Sequence, residues 1–313
     1  MYTISKDADI ILIQSETSRI EILPGCGAIL NKWEVDIHGK KMNMIDGYDS
    51  IEDFQQNCES KGFRSSKLSP YVCRIPDNGK YIYGNKEYQI GKFDLNGCSL
   101  HGLIYNMPFE VSFEETTEDT AMVALSYYYD GWDPGYPFPY FIEVIYYLLG
   151  DNTVKICTNI INEHSSTIPI ADGWHPYFNL GKPVDELYLE MASDQMVVFD
   201  DRLIPTGALK PEARFEFLHS LEGLELDNCF LLRNPLLGPA CSLVNTEDKI
   251  ALTITPDEFY QYLQIYTPPH RNSIAIENLT SAPNAFNNQM GLILLPAEDQ
   301  FQLTTTYQVI PWT

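Results

Sequence analysis

Residues 172–181 read DGWHPYFNLG and place an imidazole, His175, among Trp174, Tyr177 and Phe178. An imidazole with an ordinary pKa of about 6.5 can give or take a proton near neutrality. The residue before a proline is pushed towards extended geometry, and a proline cannot donate to a central ladder. His175 and Tyr177 therefore share one face of a broken strand, with Trp174 and Pro176 on the other. Two readings stay open from this window: a histidine hydrogen-bonded into an aromatic core, or a proton-transfer group at a sheet break.

Four further residues have types that could join it. Glu277 lies in NSIAIEN, where Ser273, Ala275 and Glu277 share a face and the two small residues leave room above a carboxylate. The alternative is a solvent-facing Glu at a strand end. His101 follows a turn and precedes Gly102, where backbone or ligand can approach closely. Arg74, in YVCRIPDNG, is flanked by apolar residues, which is unusual for a cation that merely solubilises. Asp227, in LELDNCFLL, equally suits a turn. The remaining histidines, 38, 164, 219 and 270, sit in charged or turn-like settings. No H-x-x-x-H pair and no Cys/His cluster has metal-ligand spacing, so no metal is expected. G-x-S-x-G, G-x-x-x-x-G-K-[ST] and G-x-G-x-x-G are all missing, which removes most support for a serine elbow, a phosphate loop or a dinucleotide fold.

The elements that must carry these residues are strands. SRIEIL (18–23), FIEVIYYLL (141–149), TVKICTNIIN (153–162), KIALTITP (249–256) and QFQLTTTYQV (300–309) are β-branched or aromatic runs with partial period-two alternation. Asp77-Asn78-Gly79, Gly84-Asn85, Asn96-Gly97 and Gly150-Asp151-Asn152 supply tight turns, the last joining 141–162 into a hairpin. One short helix is expected to start near Ser50, ahead of the acidic residues of SIEDFQQN. Long amphipathic helices, internal repeats and Pro/Ser linkers are not found. The expectation is a single all-β domain over 1–313, a large antiparallel sandwich or barrel-like sheet pair.

Composition narrows the partners. The chain has 313 residues, with 20 Lys and Arg against 43 Asp and Glu, a formal charge of −23. Such a surface repels phosphate backbones and anionic lipid, so neither nucleic acid nor membrane is an expected partner. Seven basic residues (Lys61, Arg64, Lys67, Arg74, Lys80, Lys86, Lys92) fall within 61–92 and are read chiefly as solvated hairpin faces. Seven cysteines without a C-x-x-C pair, and an N-terminus unlike a signal peptide, suggest free thiols in the cytoplasm.

Taken together, these segments resemble the aldose 1-epimerase (mutarotase) family. GWHPYFNLG and SIAIENLTSAPNAFNN (273–288) carry the resemblance. LHG (100–102), CRIPDNGKYIYGNKEYQI (73–90), GYPFPYFIEVIYYL (135–148), IPTGAL (204–209) and LDNCFLL (226–232) follow in family order. The resemblance implies a galactose mutarotase-like β-supersandwich with few short helices and no cofactor. It implies a monosaccharide substrate and a monomer or homodimer. Carried over by position, His175 is the acid and Glu277 the base, and His101 contacts the sugar near its ring oxygen. Arg74, Asp227 and Asn179 would hold hydroxyls, and Trp174 or Trp132 would offer a platform. Departures lie around Asn278, in the continuation of HGLIYNMPFEV and in LLPAEDQ. They leave the acid–base pair intact and bear on which sugar is used. A sugar-phosphate epimerase, a non-catalytic sugar-binding protein and, last, a glycoside hydrolase are the other readings.

Overall fold

The computed structural model describes residues 1–312 apart from 8, 38, 93 and 234–237, so His38 lies outside the described residues. The period-two runs form strands, most of which join two large antiparallel sheets. The expected hairpin pairs Tyr140–Leu149 with Thr153–Asn162, from Tyr140↔Asn162 to Leu149↔Thr153. Asp151 and Asn152 turn it with φ of 53° and 49°, in the left-handed region that Asp and Asn tolerate. Ile142, Val144, Tyr146 and Leu148 are fully buried on one face, each contributing roughly 2 kcal/mol of apolar burial. This hairpin and Gln300–Pro311 are adjacent strands of a nine-stranded sheet.

The other large sheet carries the site. Its order runs Pro205–Pro211, Ser193–Phe199, Asp227–Leu232, Tyr262–Tyr266, Ile274–Leu279, Gly173–His175 and Ser66–Leu68, and Tyr177–Phe178 also pairs with Ile274–Leu279. The two sheets meet through aromatic side chains. Phe178 lies 5.3 Å from Tyr307, and Trp174 lies 6.1 Å from Tyr146, ring centre to ring centre. The Tyr307 hydroxyl donates to Asn278 Oδ1 at 2.9 Å. An N-terminal five-stranded sheet, Thr3 to Asn43, adds Ile11, Ile13, Ile20, Ile22 and Trp33 to the same core.

The short helix is Ile51–Asn57. The Asp53 backbone N–H donates to Ser50 Oγ at 3.1 Å, a side-chain cap, and Phe54 buries against Tyr48. Seven buried cysteines are all free thiols. Among the described residues, no helix is long and apolar enough to cross a membrane.

One expectation about the basic segment fails. Lys61, Arg64, Arg74 and Lys80 pair with Asp53, Asp46, Asp227 and Glu87, but Lys67 is no solvated residue. It is fully buried against Asp172. It lies on Ser66–Leu68, the last strand of the site sheet, and its Nζ also donates to Thr158 Oγ1 of the nine-stranded sheet at 3.3 Å, so its charge is met inside the protein.

Candidate active site

Two adjacent strands set His175 and Glu277 side by side. Gly173 pairs with Leu279 and Tyr177 with Ala275, and the same antiparallel offset carried between them sets His175 opposite Glu277. Pro176 sits at the break, and its carbonyl still accepts from the Ile276 N–H at 3.3 Å. Alternation then separates the faces. Trp174, Phe178, Ile276 and Asn278 point at the second sheet, while His175, Tyr177 and Glu277 line a cavity of about 230 Å³.

His175 Nε2 lies 3.3 Å from Glu277 Oε1. Both residues are almost fully buried, at 4% and 2% exposure. Burial disfavours the charged form of each. The His175 imidazole is pushed down to about 4, and the Glu277 carboxyl is pushed well above the usual range, first by burial and then by the charge of Asp227. The Tyr177 ring stacks on the imidazole at 5.2 Å and an interplanar angle of 7°, holding its orientation.

His101 arrives from a separate segment. It has φ +58° directly after Cys98–Leu100, and its N–H donates to the Cys73 carbonyl at 2.7 Å. Gly102 is required beside it, since a Cβ there would stand 2.3 Å from the Ser69 carbonyl oxygen. The His101 ring meets His175 edge-on at 5.0 Å and Phe63 at 4.6 Å. Burial, and then the neighbouring His175, holds it neutral.

Arg74 and Asp227 face the same cavity and pair at 3.7 Å, about 26% and 32% exposed. Gln264 Nε2 donates to Asp227 Oδ1 at 2.6 Å. Burial raises the Asp227 carboxyl, against the pull of Arg74 and Gln264. The ladder makes this side a set of cross-strand neighbours, with Gln264 opposite Glu277 and Tyr266 opposite both Asp227 and Ala275. Ala275 is the small residue that keeps space between Tyr266 and Tyr177.

The structure thus brings His175, Glu277, His101, Arg74 and Asp227 together and leaves three named residues out. Asn179 does not line the cavity. Its Oδ1 accepts from the Gly181 N–H at 2.7 Å, which shapes a turn. Trp174 is on the core side at 2% exposure, so the alternation that aims His175 outward aims Trp174 inward. Trp132 packs on Tyr129 and Lys92, also away from the cavity. His164, His219 and His270 lie outside it too. Sequence reasoning missed Gln264 and Tyr266 as lining residues. Their signal was the alternation of YQYLQIY, which sets a polar side chain on every second position of a buried strand.

The site could also present donors to a metal, which sequence spacing did not suggest. One ligand atom each from His101, His175 and Glu277 lie within 4.8 Å of one another. Two imidazoles and a carboxylate suit a borderline divalent cation. Yet both imidazole Nδ1 atoms lack the outer hydrogen bond that usually orients a metal-bound histidine. The donor set fits proton transfer better: a neutral imidazole and a carboxyl in contact, with polar groups around an adjoining space.

Comparisons with known proteins bear on the fold and the family. The maltose epimerase of Levilactobacillus brevis is 21% identical, over 95% of this chain and 93% of its own. A galactose mutarotase-like protein from Clostridium acetobutylicum has the same fold, with a TM-score of 0.86 at 18% identity over 99% of this chain and 98% of that one. Galactose 1-epimerase from Lactobacillus acidophilus gives 0.82 at 20% identity, over 100% and 99%. The aldose 1-epimerase family model matches residues 9–308. This chain belongs to the aldose 1-epimerase family.

Proposed function

We propose that the protein interconverts the α and β anomers of a free, uncharged aldose, with Glu277 as base and His175 as acid. The observation that carries this reading is the 3.3 Å His175–Glu277 contact on the wall of a cavity that Arg74, Asp227 and Gln264 also line. A cyclic aldose is a hemiacetal. It opens when the anomeric hydroxyl gives up a proton and the ring oxygen receives one. Rotation about C1–C2 and the reverse transfers close the opposite anomer.

Burial helps in a specific way. The working state, imidazolium with carboxylate, and the state after opening, imidazole with carboxylic acid, hold the same single proton between the two side chains. Desolvation penalises the first and not the second, so the same burial that lowers His175 and raises Glu277 favours the two transfers that open the ring and opposes the two that close it. Each well-placed acid or base is typically worth ~10²–10⁴-fold. Tyr177 holds the imidazole, His101 stands by as a neutral hydrogen-bonding group, and Arg74, Asp227 and Gln264 serve sugar hydroxyls.

The charges of the cavity favour an unphosphorylated substrate. Among the described lining residues the one cation is Arg74, already matched by Asp227, while Glu59 and Glu277 add acidic groups. A phosphate would meet no uncommitted positive charge there. The buried free thiols suit a reducing compartment, and we place the protein in the cytoplasm.

Polarimetry on freshly dissolved α-anomers of glucose, galactose, other aldoses and maltose tests the reading. Acceleration by the wild type, abolished in Glu277→Gln and His175→Asn, is the expected result. Tight sugar binding without acceleration of any anomer would instead make this a sugar-binding protein on the same scaffold.

A further inference from the structure

Behind His175, on the face turned away from the cavity, lies a second buried charge pair. Lys67 Nζ is 2.5 Å from Asp172 Oδ1 and 3.3 Å from Thr158 Oγ1, and it rests 4.3 Å from the centre of the Trp174 ring. The Tyr260 hydroxyl donates to the same Asp172 oxygen at 3.0 Å. Both charged side chains are wholly buried, and none of these residues lines the cavity.

Their place in the ladder gives them a consequence. The strand Gly173–His175 pairs with Ser66–Leu68 through three residues only, with Trp174 opposite Lys67 and His175 opposite Ser66. On its other side the ladder with Ile274–Leu279 starts at Gly173↔Leu279, is interrupted at Trp174 to Pro176, and resumes at Tyr177↔Ala275 and Phe178↔Ile274. The register of His175 against Glu277 therefore rests on the pairs at either end of that interruption, and Asp172 stands at one of those ends. A slip of one residue would turn His175 into the core and bring Trp174 or Pro176 opposite Glu277. Apolar packing tolerates such alternatives far better than a charge pair does. A slip would part Lys67 from Asp172 and leave two buried charges unpaired, a much worse state than a lost bridge. The Asp172 main chain is fixed as well: its N–H donates to Thr280 Oγ1 at 2.9 Å, and its carbonyl accepts from the Thr280 N–H at 2.9 Å.

We propose that the Lys67–Asp172 pair is a register lock that sets His175 opposite Glu277, making both its members positioning residues for the anomerisation. The proposal rests on the reading of His175 and Glu277 as the acid–base pair.

The test compares single variants with a shape-matched apolar double. Lys67→Met or Asp172→Leu alone strands a buried charge and lowers Tm. Lys67→Met/Asp172→Leu removes both charges and keeps a folded core. The double is expected to lose at least 10-fold in kcat, with KM within about 3-fold, and to shift the acid limb of its pH–rate profile. Side-chain ¹⁵N NMR on the same protein should move the His175 titration from its depressed position towards about 6.5, with more than one set of imidazole signals. A folded double with wild-type kcat, pH profile and His175 titration would overturn the proposal, and so would a double that fails to fold. Should the wild type accelerate no aldose, the functional reading falls, while the NMR comparison still decides the register lock.

Discussion

Asp172 and Glu277 are both buried carboxyls on paired segments of one sheet, and burial raises both. Their surroundings differ. Asp172 has a lysine at 2.5 Å and a tyrosine hydroxyl at 3.0 Å on one oxygen. Glu277 has the His175 imidazole at 3.3 Å and a weak Cys73 thiol contact at 4.0 Å. Asp172 faces the second sheet, where a partner must be supplied by the fold. Glu277 faces a cavity, where a partner can be supplied by a ligand. A buried acid ion-paired to a lysine is a structural element; one beside a neutral imidazole on a cavity wall is placed to exchange a proton.

That contrast can be broken by mutation. Glu277→Gln should cost the most, about 10³–10⁴-fold in kcat, read by polarimetry. The same variant should be more stable than the wild type at pH 8. Above the ordinary carboxylate range the unfolded chain releases the Glu277 proton while the folded chain keeps it, so the wild type loses stability as pH rises. Gln has no such slope. The gain in Tm should therefore shrink towards pH 4.5, and an equal Tm offset at pH 4.5 and 8 would contradict the raised carboxyl.

His175→Asn should cost about 10²–10³-fold. In the wild type, kcat/KM should fall on the acid side near pH 4, where the depressed imidazole takes a second proton. On the alkaline side it should fall at a midpoint above the ordinary Glu value, where the pair loses its only proton. Two coupled groups give two macroscopic limbs. An acid limb near pH 6.5 would mean that His175 titrates as an exposed histidine.

Arg74→Met should raise KM about 10-fold, the loss of one charge-assisted hydrogen bond to the sugar, with kcat changed less. A phosphorylated aldose turned over better than the free one, and weakened far more by this variant, would reverse the reading of an uncharged substrate. Asn179→Ala should matter least, leaving kcat and KM within 2–3-fold, because its carbonyl serves the Gly181 turn. A drop approaching that of Arg74→Met would return Asn179 to the binding site.

Much of this was legible in local chemistry. Ser50 caps its helix as an acceptor ahead of two acidic residues. Asp77, Asn78, Asn96, Asp151 and Asn152 turn where left-handed backbone is cheapest. The alternation in GWHPYF correctly set His175 and Tyr177 against Trp174. What alternation alone could not say was which of the two faces was the open one, so Trp174 was offered as a sugar platform and proved to be core. Lys67 was misread for a related reason. Composition ties a lysine to solvent, whereas its fate depends on Asp172, 105 positions away.

The sequence by itself determined the strands, their turns, the residue types able to transfer a proton and the surplus of acidic over basic residues. Those follow from dihedral preference, period-two burial and net charge, all of which act over a few residues or over the whole surface. Only the tertiary structure decided that His101, His175 and Glu277 share one wall, that Asn179 does not, and that a lysine is buried beside the strand that carries His175. Each depends on register between strands far apart in the chain, where one step exchanges core for cavity.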